Sequence, residues 1–482
     1  MKKYVFLQLL FTFHFSLFTY GAAAQLRVYP APAGAPLNND FTLLVRTPDA
    51  AWQQVPTYLW KVDNAESGKH RVEQNSVASF DFEGIVELAV VSHRQHVESC
   101  RVRPLSYGIQ PAQRGDTIFF SLQQSRYLSV EMNGDLFHNL HIFANPMAPV
   151  LTKKERKSKK TIYFGPGYYD LGEDTLFIPS GSTMYIDGGA YIKGVIQAKH
   201  VQDVRILGHG IVNPDRQQSG ISIRYCKNVL VDGPLTTQLP VGGSDSVQVR
   251  NAKVMSWYGW GDGMNVFASN NISYDHVFCR TSDDCSTIYC TRLGYHGGCR
   301  NIRVTDAVYW ADVAHPIMIG LHGDIEKNET IEDVLYEDID ILENPEKQID
   351  YKGCIGINDG DNNLVRRVTF QNIRIEDLHR GGMLFNFRVC FNKKYCNAPG
   401  RGIHDITLRN ITYNGVKPEL SIMTGYSQDR LIRNVHFENL RINGQLITDD
   451  MPERLKWYKT SDYANIFVGE HVENVTFTKN EK

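Results

Sequence analysis

The sequence shows no excess of charge of either sign. Its 482 residues include 51 Lys and Arg against 53 Asp and Glu, for a formal net charge of −2. Nucleic acids and anionic membrane surfaces are recognised through clustered positive charge, which this balance does not favour. We therefore predict neither nucleic acid nor lipid as a partner. The basic run at residues 153–160 is interpreted as a solvated linker.

Paired metal-binding cysteines are also missing. Cys279, Cys285, Cys290 and Cys299 lie close together in sequence, but no Cys-x-x-Cys pair of the zinc-site type occurs among the nine cysteines. Nine is an odd number, so at least one thiol has no partner within the chain. We expect packing thiols with one or two disulfides, and residues 390 and 396 could close a small loop. No metal or cofactor is predicted.

Long hydrophobic runs are scarce. The one present extends from Tyr4 to about Tyr20, after Lys2 and Lys3 and before the small residues 22–24. This order of charged, apolar and small segments is typical of a cleavable signal peptide, here residues 1–24. The run is short for a membrane span and no comparable run follows it. We expect no membrane insertion and a secreted or periplasmic location.

A leucine-rich consensus and the even four-strand spacing of propeller blades are both absent. What recurs from residue 247 onward is a short alternating strand, then Asn or Asp, then another apolar alternation. The steps vary from 24 residues (251 to 275) to 38 residues (372 to 410), as expected when loops of variable length interrupt one repeating coil. We predict that these turn residues are structural: Asn251, Asp275, Asp306, Asp338, Asn372, Asn410 and Asn439.

The two parts of the chain differ in pattern, and both read as strands. Residues 25–150 contain short alternating strands between Pro, Gly and Asn turns, which predicts a β-sandwich. Residues 151–482 contain the repeats. The predicted fold is therefore all-β: a right-handed parallel β-helix preceded by a small N-terminal β-sandwich.

Three aspartates fall at related points of two successive repeats. Asp262 precedes Gly-Met-Asn-Val-Phe, while Asp283 and Asp284 precede Cys-Ser-Thr-Ile-Tyr; His315 and Lys352 precede the corresponding strands of the next two repeats. Neighbouring rungs of a parallel sheet lie about 4.8 Å apart, so we expect the carboxylates to converge. An isolated Asp-Asp pair is usually a turn. Three converging carboxylates instead suit acid/base cleavage of a glycosidic bond, because mutual repulsion keeps one of them protonated.

Several other residues are candidates for binding a poly- or oligosaccharide. Trp260, beside Asp262, could stack on a sugar ring, although packing in the core or rim is the competing interpretation. Arg388 is a candidate subsite residue, with a structural hydrogen bond as its alternative role. Asn265, His315 and Lys352 complete the predicted binding set. Loops 289–298, 343–352 and 391–401 are expected to form the subsites.

These motifs resemble a known group of enzymes. Gly261–Gly263 followed by Ser282–Asp284 resembles the three-aspartate signature of the β-helical glycoside hydrolases of families 28 (polygalacturonases) and 49 (dextranases and isopullulanases). Residues 128–146 and 163–186 are similar to the sandwich and the first coils of family 49. The resemblance implies inverting hydrolysis, with Asp283 as general acid and Asp262 and Asp284 activating water, and without a metal.

The sequence departs from the polygalacturonase pattern after Asp284. The Gly-His-Gly and Arg-Ile-Lys motifs do not follow in order. The segment Gly320–Gly323 matches the Gly-His-Gly motif only loosely. This argues against a uronic-acid substrate. Three alternatives stay open: a polygalacturonase-type hydrolase, a Ca²⁺-dependent β-helical polysaccharide lyase, and a non-catalytic carbohydrate-binding β-helix.

Overall fold

Strands account for nearly all regular structure in the chain. The computed structural model describes residues 24–66, 69–348 and 350–480. The predicted signal peptide therefore lies outside the described residues except for Ala24. Two sheets form the N-terminal part, and a 28-stranded sheet forms the rest. The predicted fold class, a right-handed parallel β-helix after a small β-sandwich, is confirmed.

The N-terminal part contains eleven strands and one 3-10 turn. The strands are β1 (Gln25–Arg27), β2 (Phe41–Arg46), β3 (Gln53–Val55), β4 (Thr57–Glu66), β5 (Lys69–Glu83), β6 (Val86–Ser92), β7 (Cys100–Arg103), β8 (Ala112–Arg114), β9 (Thr117–Leu122), β10 (Arg126–Met132) and β11 (Leu140–Asn145). The 3-10 turn is Leu105–Tyr107. One sheet runs β1-β5-β11-β10-β7 with β4 beside β5, and the other runs β3-β2-β6-β9-β8. Alternating apolar residues of both sheets form a shared core, as in Phe41, Leu43 and Val45.

The β-helix follows a short connection that contains helix α1 (Lys153–Arg156). Its first strands are β12 (Thr161–Phe164), β13 (Gly167–Phe177), β14 (Thr183–Ile186), β15 (Ala190–Lys199), β16 (Gln202–Leu207), β17 (Ile211–Val212), β18 (Ile221–Arg224), β19 (Lys227–Asp232), β20 (Leu235–Thr236), β21 (Val241–Gly242), β22 (Asp245–Arg250), β23 (Lys253–Met255), β24 (Met264–Phe267), β25 (Asn270–Thr281) and β26 (Ser286–Tyr289). The later strands are β27 (Cys299–Ala311), β28 (Ile317–Gly320), β29 (Thr330–Glu343), β30 (Ile355–Asp359), β31 (Leu364–Ile375), β32 (Phe385–Val389), β33 (Gly402–Tyr413), β34 (Ser421–Thr424), β35 (Ile432–Glu438), β36 (Leu440–Ile442), β37 (Gln445–Ile447), β38 (Ile466–Val468) and β39 (Val472–Thr478). Helix α2 (Thr460–Tyr463) lies before β38.

The coils present three faces, and in the later coils one long strand such as β25 covers two of them. We call one of them the cleft face; it consists of β18, β21, β24, β26, β28, β30, β32, β34 and β38, paired in parallel in that order. Equivalent apolar residues stack along its inner side, each no more than 1% exposed: Val266, Ile288, Ile319, Ile357 and Phe387. This column extends the core coil by coil and fixes which residues of neighbouring turns lie side by side.

The predicted turn residues form a column of left-handed backbone conformations, with one correction. Asn251, Asp306 and Asn372 have φ of 54°, 49° and 55°. Asp275 does not belong to this column, because the pairing of Asp275 with Thr305 places His276, with φ 49°, opposite Asp306. Asn and Asp tolerate positive φ better than other non-glycine residues, and their side chains can also bond along the column. Asn410 Nδ2, for example, donates to Asn372 Oδ1 at 2.8 Å.

The sandwich packs against a second face of the helix, which we call the sandwich face. Their joint apolar cluster contains, from the sandwich, Tyr58, Trp60, Val62, Val77, Tyr127, Leu136 and Phe143 and, from the helix, Tyr191, Ile211, Leu235, Met255, Phe278, Val308, Trp310 and Leu342. Trp60 Nε1 donates to the carbonyl oxygen of Met255 at 3.1 Å. Because Met255 is the last residue before the turn that carries Asp262, the sandwich supports that turn directly.

The helices in the described residues are too short to cross a membrane. Both α1 and α2 have four residues. No helix in the ranges 24–66, 69–348 and 350–480 has the length and hydropathy of a membrane span.

The left-handed column gives a first test of the fold. Asn372→Ala should lower the free energy of unfolding by about 1–2 kcal/mol, because a Cβ without a bonding side chain is unfavourable at positive φ. Asn372→Gly should cost less, because glycine adopts this φ freely. Urea unfolding of both variants measures the difference. If both variants lose the same free energy of unfolding, the stabilisation comes from the hydrogen bond between Asn372 and Asn410 and not from the backbone conformation.

Candidate active site

Two stacked turns bring the three aspartates together. Residues 256–263 connect β23 to β24, and residues 282–285 connect β25 to β26. The turns are hydrogen-bonded to each other, since the Gly263 amide donates to the carbonyl oxygen of Asp284 at 2.8 Å. The next turn is bonded in the same way, since the Cys285 amide donates to the carbonyl oxygen of His315 at 2.8 Å. The parallel ladder therefore continues through the turns.

The strand register decides which residues share a column with Asp262. Met264 pairs with Ser286, and Ser286 with Ile317, so Asp262, Asp284 and His315 stand at equivalent positions two residues before them. Ile317 pairs with Ile355. The equivalent position on that coil is thus Gly353. The prediction that Lys352 belongs to the column was wrong by one residue.

Glycines flank Asp262 because the turns approach each other closely. A Cβ on Gly261 would lie 2.2 Å from Ser282 Oγ, and a Cβ on Gly263 would lie 2.4 Å from the carbonyl oxygen of Cys285. Both distances are far below contact distance. The Gly-Asp-Gly sequence thus allows the Asp262 turn to lie directly on the turn of Asp283 and Asp284.

The three carboxylates form one compact cluster. One oxygen from each of Asp262, Asp283 and Asp284 lies within 4.8 Å of the others. Asp284 is 2% exposed, while Asp262 and Asp283 are partly exposed and line a cleft of about 720 Å³. Such a cluster can hold a water molecule and a proton. Its oxygen ligands would also suit a hard cation such as Ca²⁺.

Asp284 is surrounded by hydrogen-bond donors. Its Oδ1 accepts from the backbone amide of His315 at 3.0 Å and from Nδ1 of the same residue at 2.7 Å. Its Oδ2 accepts from the Tyr289 hydroxyl at 3.0 Å and from the Tyr351 hydroxyl at 3.4 Å. Four donors favour the negative charge on Asp284.

Burial and mutual repulsion hold protons on the other two aspartates. Burial, followed by the charge of Asp284, raises the pKa of Asp262 from 3.8 to about 8. Burial, followed by the charges of Asp262 and Asp284, raises the pKa of Asp283 well above its ordinary value. The cluster therefore combines one carboxylate held by four donors with two carboxyl groups whose pKa values are raised, and such a difference in environment suits acid/base catalysis.

The structure separates the predicted binding residues into two groups. Trp260 is 80% exposed at the cleft rim, and Asn265 lies on the cleft floor. His315 is fully buried behind Asp284, where it holds the carboxylate and is out of a substrate's reach. Lys352 forms an ion pair with Glu419, and neither Lys352 nor Arg388 is among the cleft residues.

Residues that the sequence did not single out line the rest of the cleft. They come largely from the loops expected to form subsites, and they include Arg292, Tyr295, Glu346, Gln348, Tyr351, Lys394 and Tyr395, with Arg224, Tyr289 and His322 from neighbouring coils. Tyr351 and Tyr395 stack with ring centroids 4.6 Å apart. His322 meets the Tyr289 ring edge-on at 4.9 Å. The sequence located the loops, but it carried no signal for which of their side chains point inward.

Comparison with known proteins agrees with this geometry. The family model "Glycosyl hydrolases family 28" matches residues 181–452, which is 272 of 482 residues. The chain belongs to glycosyl hydrolase family 28. It is thus a glycoside hydrolase of the polygalacturonase-like β-helix superfamily. The family 49 assignment drawn from the sequence is not confirmed by this match.

A solved structure shows the same fold at low sequence identity. Dex49A from Penicillium minioluteum matches 92% of this chain and 96% of its own, with 14% identity and a TM-score of 0.60. A family 28 exopolygalacturonase from Yersinia enterocolitica matches 82% of this chain and 96% of its own, with 13% identity and a TM-score of 0.49. The search of curated proteins found no match.

The Asp262 carboxyl couples folding to pH. Its pKa of about 8 lies above its ordinary value of 3.8, so between these values the folded chain binds more protons than the unfolded chain. The contribution to stability is therefore complete below the ordinary pKa and is lost as the pH rises towards the folded pKa. Asp262→Asn removes this titration.

We expect the thermal midpoint of the wild type to fall more than that of Asp262→Asn between about pH 5 and about pH 8. Scanning fluorimetry at constant ionic strength measures both. Asp275→Asn, an exposed carboxylate outside the cleft, is the matched control and should follow the wild type. Parallel curves for Asp262→Asn and the wild type would contradict a raised pKa.

Proposed function

We propose that this protein hydrolyses α-glycosidic bonds of a polysaccharide or oligosaccharide by a single displacement. Asp283 acts as the general acid, and Asp262 with Asp284 activates the attacking water. The observation that supports this assignment best is the cluster itself: three carboxylates with oxygens within 4.8 Å, of which two have raised pKa values and one accepts four hydrogen bonds.

The assignment of Asp283 as acid rests on protonation and access. Burial and the neighbouring carboxylates raise its pKa well above the ordinary value, which favours the protonated form, and its side chain reaches the cleft. Its Oδ1 also accepts from the Asp284 amide at 3.0 Å, which orients the group. In the reaction its proton passes to the glycosidic oxygen as the bond to the anomeric carbon breaks.

Asp262 and Asp284 can hold the water between them. Two hydrogen bonds of about 2.8 Å from one water span roughly 4.5 Å between their acceptors, which is close to the 4.8 Å limit of this cluster. When Asp262 holds one proton, as its raised pKa favours, the pair of carboxyl groups can still accept a second proton. The water gives up that proton as its oxygen bonds to the anomeric carbon.

The spacing of the cluster alone does not favour this mechanism. Inverting glycosidases usually separate their carboxyl groups by about 6.5–9.5 Å, and retaining enzymes by about 5–5.5 Å. We favour single displacement because it is the mechanism that the resemblance of the three-aspartate motif implies.

The residues around the cluster would position the carboxylates and the sugar. His315 donates to Asp284 and also packs edge-on against the Tyr351 ring, with ring centroids 4.4 Å apart. Tyr351 donates to the same carboxylate, so these two packed side chains orient it together. Trp260 presents its indole at the cleft rim, with φ 56° and its carbonyl oxygen accepting from Gln238 Nε2 at 3.0 Å. An exposed ring held this way suits stacking on a sugar face.

The finer family assignment is also a proposal. Dex49A matches over 92% of the chain, which extends beyond the helix into the sandwich, whereas the family 28 match begins at residue 181. We propose that the chain combines a family 28 catalytic helix with a sandwich arranged as in family 49. We further propose that it acts outside the cytoplasm, as the apolar run near its start suggests.

Asp283→Asn should leave the fold intact and lower kcat by about 10²–10⁴-fold, because the amide cannot donate the acid proton. Reducing-sugar release from a panel of α-glucans, galactans and pectins, assayed both with and without EDTA, measures it. Asp275→Asn is the matched control and should keep full activity.

Near-normal turnover of Asp283→Asn would contradict the acid assignment. Activity that EDTA abolishes, with unsaturated products that absorb in the ultraviolet, would instead identify a Ca²⁺-dependent lyase. Binding of the polysaccharide without any cleavage would favour the non-catalytic alternative.

One observation favours an acidic sugar as substrate, and with it a polygalacturonase-type hydrolase. Arg224 and Arg292 line the cleft, and neither forms an ion pair within the described part of the chain. Arg224 Nε is buried without a hydrogen-bond partner there. A guanidinium without a carboxylate partner suits a substrate carboxylate.

If the substrate is acidic, Arg224→Met with Arg292→Met should lower kcat/KM on polygalacturonate by about 10-fold or more, and on neutral dextran hardly at all. Initial rates on both polymers test this. Arg433→Ala, an exposed arginine on another face of the helix, is the charge control. Equal losses on both polymers would contradict charge recognition.

A further inference from the structure

A second groove lies on the N-terminal sandwich. It has a volume of about 880 Å³ and is formed by the outer side of β2, β6, β8 and β9 together with residues 107–112 and 123–126. It shares no lining residue with the cleft that contains the aspartates. Neither the family match, which begins at residue 181, nor the proposed reaction assigns this surface a role.

Three aromatic rings of the groove each have a guanidinium group over one face. Arg46 lies over the Trp52 ring at 4.4 Å from its centroid, and Arg126 lies over Tyr107 at 4.1 Å. Arg114 lies at 5.7 Å from the Phe119 centroid. Planar apolar surface beside fixed donors is the composition with which proteins contact sugar rings.

The groove also offers polar groups that the protein itself does not use. The side chains of Gln110, Ser121 and Gln123 are exposed and form no hydrogen bond among the described residues. Arg114 is likewise exposed. Amides and hydroxyls can both donate and accept, which matches the hydroxyl groups of a glycan.

The charge of the groove is positive. Arg46, Arg114 and Arg126 line it, and Glu87 is the carboxylate among its lining residues. Glu87 is already paired with Arg46, at 2.6 Å. Arg114 and Arg126 form no ion pair in the described ranges. Two guanidiniums without carboxylate partners complement a ligand that carries carboxylates.

We propose that this groove is an accessory binding site for an acidic polysaccharide. It holds a stretch of the polymer by ring stacking and by guanidinium–carboxylate pairs, and it thereby keeps the polymer near the cleft of the same molecule. The inference rests on the proposed function in one respect only, namely that the ligand of this protein is a polysaccharide.

Affinity electrophoresis of the full chain tests the proposal. All proteins carry Asp283→Asn so that the polymer is not degraded, and the native gels contain either sodium polygalacturonate or neutral dextran. The groove variants are Trp52→Ala and the double variant Arg114→Ala/Gln123→Ala, in which both replaced side chains are exposed. Arg433→Ala is the control for loss of one positive charge.

We expect polygalacturonate to retard the Asp283→Asn parent and Arg433→Ala equally. The dissociation constants of both groove variants should be about 10-fold higher, which corresponds to loss of one stacking or guanidinium contact. Equal retardation of the Arg114→Ala/Gln123→Ala variant and its parent would overturn the proposed site. Equal retardation of the parent in dextran and polygalacturonate would overturn its acidic ligand.

Hydrolysis of the polymers by the chain with Asp283 intact separates this proposal from the proposed function. Cleavage without any groove-dependent retardation would overturn the accessory site and leave the hydrolase standing. Groove-dependent retardation without cleavage would support the accessory site and contradict the hydrolase.

Discussion

Parallel pairing between successive coils is the constraint on which both the core and the active site depend. The pairing of Val266 with Ile288 and of Ile288 with Ile319 extends the core from coil to coil. The same register, continued through the turns, places Asp262 beside Asp284. A slip of one residue in either strand would turn the side chains of the whole strand to the opposite face. The core thus fixes the spacing of the carboxylates, although none of its residues touches a substrate.

Placing three carboxylates at this spacing is costly, and the surrounding residues show how the fold accommodates it. The pKa values of Asp262 and Asp283 are raised, while the carboxylate of Asp284 accepts four hydrogen bonds. Two of the four donors come from His315, which occupies the next position of the same column. The repeat therefore supplies both the reactive groups and the residue that orients them, and the sandwich supports the Asp262 turn through Trp60.

The fold and the aspartate cluster could be predicted because both follow from a periodic pattern. The column that contains Asp262 and Asp284 is visible in the sequence, since each aspartate stands at the same distance from a strand. The errors arose where the spacing is ambiguous by one residue. The sequence pattern indicates Asp275 and Lys352, whereas the strand register places their neighbours His276 and Gly353 in the two columns. Cleft residues such as Arg292 could not be predicted, because their direction depends on irregular loops and on their tertiary contacts.

The configuration of the first product tests the central claim most directly. The carboxyl oxygens lie within 4.8 Å of one another, close to the spacing of about 5–5.5 Å in retaining enzymes, whereas the three-aspartate motif resembles that of inverting enzymes. Proton NMR of the anomeric signals, recorded in the first minutes of hydrolysis and before mutarotation, distinguishes the two. We expect the β-anomer to appear first from an α-linked substrate. Initial release of the α-anomer would show that a carboxylate attacks the sugar and would contradict the account.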